Sequence, residues 1–93
     1  MDVNTLALAA VMTLIGFDHV MMATPALLRR DGVFWAVVGL EGVGAGVVGA
    51  YGMPGLSAVP VAGWLVCALL AYHAVHNLVR RRAVLDRMDE EGA

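Results

Sequence analysis

VFWAVVGLEGVGAGVVGAYGM, residues 33–53, decides the fold. The stretch is apolar throughout except for Glu41 near its middle, and it carries Gly39, Gly42, Gly44, Gly46, Gly49 and Gly52. In water that glycine content opposes a helix by about 1 kcal/mol per Gly relative to Ala. In lipid the helix is imposed, because every backbone N–H and C=O has to be satisfied within the segment. Glycine then serves packing, since it lets another helix backbone come close. The stretch therefore reads as a membrane span, the middle one of three.

Outward from it, Val3–Leu28 and Leu56–Val79 are also long and apolar enough, a crossing needing about 20 residues. The chain has 93 residues, 60% of them hydrophobic, and a mean hydropathy of +0.77. A soluble domain this short buries only about 60–65% of its unfolded surface and has nowhere to hide so much apolar area. The expected architecture is an all-α integral membrane bundle of three transmembrane helices. It forms one domain, 1–93, with spans at 3–28, 33–53 and 56–79 and a tail at 80–93. The first span is expected to be uncleaved, because Met1-Asp2-Val3-Asn4 is acidic where a signal peptide needs positive charge.

Turn chemistry fits this layout. Asp2 or Asn4 can cap the first span, and Pro25 is expected to bend its last turn, with Thr24 helping to satisfy the freed backbone. Arg29-Arg30-Asp31-Gly32 reads as a short turn with Gly32 as its permissive residue, which makes spans 1 and 2 antiparallel neighbours. Phe34, Trp35 and Tyr51 are suited to the two membrane interfaces. Pro54-Gly55 reads as the second turn, and Pro60 falls in the first turn or so of span 3.

Charge sets the orientation. Arg29 and Arg30 share a side with Arg80, Arg81 and Arg82, and the opposite loop and the N-terminus carry no basic residue. By the positive-inside rule the N-terminus is outside and the C-terminus cytoplasmic. The tail is expected to continue the third helix briefly, with Arg82 and Asp86 sharing a face. All six basic residues are Arg, which points to a GC-rich, salt-adapted prokaryote and so to a prokaryotic cell membrane. A net charge of −2 without a basic, aromatic-interleaved patch gives no sign of nucleic-acid binding. The single cysteine, Cys67, excludes an intrachain disulfide and reads as a small core residue.

Five ionisable residues lie inside the spans: Asp18, His19, Glu41, His73 and His76. A carboxylate at mid-membrane costs about 2.5–3.5 kcal/mol, so these groups are expected to face protein or water. Counted from the arginines at about 1.5 Å per residue, Asp18 and His19 lie roughly 16–18 Å deep, Glu41 about 15 Å, His73 about 10 Å and His76 about 6 Å. Neighbouring levels on three spans predict a shared polar cluster. His73, His76 and Asn77 are close on one helix face. On span 2, Gly39, Gly42, Gly46 and Gly49 form one smooth stripe, and Glu41 projects roughly 120° away from it. One contact cannot readily cover both, so the chain is expected to form a homo-oligomer or join other membrane subunits within the bilayer.

The cluster admits several chemistries. Carboxylate and imidazole suit a divalent metal or a proton relay, although His73-x-x-His76 is a weak metal spacing and leaves metal binding open. His19 and His73 are also candidate axial ligands for haem b, with depths differing by roughly 6 Å. The remaining reading is a hydrogen-bonded network that fixes assembly register. The layout also resembles that of the three-span SemiSWEET sugar carriers, with Thr24-Pro25 and Tyr51-Gly52 at positions similar to that family's span-1 proline and span-2 tyrosine-glycine pair. That resemblance implies a homo-oligomeric carrier. The chain departs from the family pattern in having Ala26 after Pro25, no mid-span asparagine in span 3, where Asn77 sits near the arginines, and in carrying Glu41 and two span-3 histidines. No nucleophile–base pairing points to an enzyme. The leading expectation is a small non-catalytic membrane component, packed through the span-2 glycines and fixed by buried polar residues. The alternative is a carrier or channel for protons, metal ions or a small solute.

Overall fold

The computed structural model describes residues 3–52 and 60–92, and these are helical apart from short links. In chain order they form α1 (Val3–Ala23), α2 (Pro25–Leu28), α3 (Asp31–Tyr51) and α4 (Pro60–Gly92). Three of them, α1, α3 and α4, are long and apolar enough to cross a membrane. Asp2, the Pro54-Gly55 turn and positions 56–59 lie outside the described residues.

The first predicted span is divided. Proline lacks an N–H and drives the residue before it out of the α region, and Thr24 accordingly sits at φ −117°, ψ 105°. Its carbonyl accepts from the N–H groups of Leu27 and Leu28, so the four-residue α2 is capped by backbone, without a side-chain bond from Thr24. The next turn is tighter than expected. Only Arg29 and Arg30 separate α2 from α3, and Asp31 sits in the first turn of α3, where a carboxylate suits the helix dipole. Gly32 is therefore helical rather than a turn residue, and its conformational freedom is unused. The glycine that needs it is Gly52, which ends α3 at φ 77° with its N–H bonded to Val48 O at 2.9 Å.

The closest packing is between α3 and α4, and a core of Met21, Leu28, Phe34, Val37, Val38 and Ala74 joins them to α1 and α2. That core lies toward the arginine-bearing end. Elsewhere the long helices keep most of their apolar side chains exposed, including Met12, Val43, Leu65 and Val79, which is surface for lipid or for another chain to cover. Helix α4 runs on without a break to Gly92. Its 33 residues span about 50 Å at the usual rise, well beyond a hydrocarbon core of about 30 Å.

Arg81 ties this end together. Its Nε and Nη2 donate to Leu28 O at 3.1 and 2.9 Å, Nη2 also reaches Asp31 Oδ1 at 2.7 Å, and the guanidinium lies 4.3 Å from the Phe34 ring centroid. Phe34 is thus buried beneath a cation, not an interface aromatic like the exposed Trp35. Among the described residues Arg82 and Asp86 form no ion pair, while Arg29 pairs with Asp89. Replacing Arg81 with Ala should leave the Leu28 carbonyl without its donors and lower unfolding stability in detergent by about 1–3 kcal/mol. Arg81→Lys should recover less than half of that loss, because an ammonium cannot fork between two acceptors and stack on a ring. An Arg81→Ala melting curve that overlays Arg82→Ala would exclude this role.

Candidate functional site

The buried polar side chains are Asp18, Glu41 and Asn77, with relative exposures of 3%, 0% and 0%, one from each long helix. The Asn77 carboxamide joins the two acids, Nδ2 lying 2.5 Å from Asp18 Oδ2 and 3.3 Å from Glu41 Oε1. Both N–H bonds of that amide are thereby used. Among the described residues two oxygens have no hydrogen-bond partner, Glu41 Oε2 and Asn77 Oδ1. The amide oxygen only accepts, whereas a carboxyl oxygen accepts when ionised and donates when protonated. Neither carboxylate has an arginine or histidine at ion-pair distance.

Sequence reasoning puts Asn77 on the face of His73 and His76 but does not count it among the candidate residues, and it is the centre of the cluster. The signal was present: an amide four residues after His73 on an apolar helix is costly unless it finds partners. Counting depth from Arg80 hid it, because α4 does not stop there and Arg81 reaches back to Leu28.

The histidines lie beside this cluster. His19 and His73 are in ring contact, centroids 5.5 Å apart and tilted by 55°. Each is tied to its own helix, His19 Nδ1 2.8 Å from Ile15 O and His73 Nδ1 2.8 Å from Leu69 O. A carbonyl only accepts, so Nδ1 carries the proton and, in the neutral ring, Nε2 is an acceptor. His76 is exposed and stacks on Tyr72 at 5.6 Å and 27°, and Tyr72 meets His73 edge-on at 5.6 Å. A cavity of about 320 Å³ between α1 and α4 brings Asp18, His19, Tyr72, His73, His76 and Asn77 to one lining; Glu41 is not part of it.

One chemical reading finds no geometry here. Among the described residues no group of three or more His, Cys, Asp or Glu is placed to hold a metal ion. The glycine stripe is also divided. Nothing lies within 4 Å of a Cβ built at Gly39, Gly42 or Gly46, whereas one at Gly49 meets Cys67 Sγ at 3.3 Å, and one at Gly44 meets Leu70 Cδ1 at 3.2 Å. The close α3–α4 contact therefore uses Gly44, Ala45 and Gly49, with Cys67 donating to Ala45 O at 3.2 Å.

The triad makes a stability prediction. Asn77→Leu strands an oxygen on each acid and should destabilise the bundle by about 1–3 kcal/mol per stranded group. Combining it with Asp18→Leu should cost less than the two single changes added, a coupling of at least about 1 kcal/mol in a denaturation cycle; strict additivity would show that the bond contributes nothing. Compared with known protein families, with curated proteins and with solved structures, the chain matches none.

Proposed function

We propose that the protein is a small, non-catalytic, multi-pass component of an oligomeric membrane assembly, in a prokaryotic cell membrane with the N-terminus outside and the C-terminus in the cytoplasm. The observation that carries this reading is the division of α3 into two faces. Glu41, Gly44, Ala45 and Gly49 are taken up within the protomer, while Gly39, Gly42 and Gly46 have open space around them. Glycines on one face of a membrane-length helix offer a surface for close approach by another helix. Lipid tails gain nothing from such a surface, so a second chain, either a copy or another subunit, is its natural cover. The orientation is supported by Arg81, whose contacts to Leu28 and Asp31 gather both arginine groups at one end.

In this reading the triad of Asp18, Asn77 and Glu41 fixes the register of three helices that have little hydrophobic reason to associate in lipid. Gly42→Leu and Gly46→Leu should leave the protomer folded, since each side chain enters open space, and should raise the oligomer dissociation constant roughly ten-fold or more, about 1.4 kcal/mol. Gly44→Leu should instead disturb the protomer through Leu70. Cross-linking and sizing in mild detergent measure both; a monomeric wild type, or an oligomer indifferent to Gly42→Leu and Gly46→Leu, would remove the proposal.

A homo-oligomeric carrier or channel for protons, metal ions or a small solute is the second reading, favoured by the cavity that Asp18, Asn77 and the histidines line. Glu41→Gln separates the two. A structural component should keep its assembly and lose no more than about 1 kcal/mol, as a neutral amide still accepts the Asn77 bond. A proton or cation carrier should lose flux in proteoliposomes while still assembling.

A further inference from the structure

We propose that the cavity between α1 and α4 binds a small organic cation with an ammonium head. The site belongs to one protomer and does not depend on the assembly reading. At its base are a buried carboxylate, Asp18, with no cationic side chain paired to it, and the buried Asn77 that holds it in place. At its walls are two imidazoles whose Nδ1 protons are committed to Ile15 O and Leu69 O, so that Nε2 of each is an acceptor. Acceptors dominate the polar lining. A ligand matching it brings several donors on one head together with positive charge.

An ammonium meets both demands, with one N–H for each of three acceptors and a charge that balances Asp18. Tyr72, edge-on to His73 and stacked with His76, adds π surface that favours a cation over a neutral group of the same shape. Size selects an organic ligand over a bare metal ion. About 320 Å³ lies at the small end of ordinary small-molecule sites, and no set of three metal-ligating side chains is assembled among the described residues. The rest of the lining is apolar, Met22 and Ala23, so the ligand's body can be apolar too.

The test uses the full chain in phosphatidylcholine nanodiscs, titrated with benzylammonium and followed by NMR of the histidine and tyrosine ring signals. Benzyl alcohol and Zn²⁺ alone are the parallel arms. Benzylammonium is expected to shift the His19, His73 and Tyr72 signals saturably, with benzyl alcohol at least ten-fold weaker. Asp18→Asn should weaken binding by ten-fold or more. Tyr72→Leu, which leaves the triad intact, should weaken it several-fold and decides the matter if Asp18→Asn does not fold. Equal binding of benzyl alcohol would show a merely apolar cleft, and ring shifts with Zn²⁺ but not benzylammonium would show a metal site. Either outcome, no saturable binding of benzylammonium, or binding indifferent to both substitutions overturns the proposal. Oligomeric state, measured on the same sample, reports on the assembly reading separately.

Discussion

One carboxamide between two acids is the constraint on which this bundle rests. In lipid the apolar surfaces of α1, α3 and α4 gain little by meeting each other, since hydrocarbon solvates them about as well. What distinguishes one arrangement from its neighbours is the cost of leaving Asp18, Glu41 and Asn77 apart. Each acid alone in the membrane costs about 2.5–3.5 kcal/mol. The Asn77 amide has two donors and spends one on each acid, so all three helices must be present before both acids are partnered. The interaction is therefore of third order: no pair of helices can satisfy it by itself.

A second clamp works at the arginine-bearing end of the bundle. Helix α2 ends at Leu28, so that carbonyl has no intrahelical donor, and Arg81 takes it up in a fork while also pairing with Asp31. The end of a four-residue helix thus supplies the acceptor that fixes α4 against the α2–α3 turn. The Arg29–Asp89 pair closes the same end farther out, between two exposed side chains, and such pairs contribute little in water.

The helices themselves were legible in the sequence because span length and hydropathy are properties of a single segment. Glycine content, which would have misled in water, cost nothing once the bilayer was taken as solvent. The proline break at residue 25 was legible for the same reason, as was the presence of costly groups at Asp18 and Glu41. What could not be read was how the levels match. Depth counted along straight axes puts Asn77 far from Asp18, yet the kink shortens the path from residue 24 to residue 30 and Arg81 reaches back along α4. Side-chain reach of several Å and a bent first segment are enough to bring the two into contact. Nor does a single-helix projection tell which glycines of one stripe meet a neighbour: Gly49 lies against Cys67 while Gly39, Gly42 and Gly46 stay open among the described residues.

The satisfied and the unsatisfied halves of the triad have different consequences. Every donor of Asn77 is used, so the amide is fully committed as a clamp and its orientation is fixed by both acids. Its oxygen, and Glu41 Oε2, are the remainder. A network meant solely to hold helices together is strongest when it closes completely, because each open acceptor in a low-dielectric interior weakens it by about 1–3 kcal/mol. Asp18 and Asn77 also line the cavity beside the two histidines, so the side chains that hold α1 against α4 are the ones that set the polarity of the proposed cation site, Asp18 by its charge and the neutral histidines by their Nε2 acceptors.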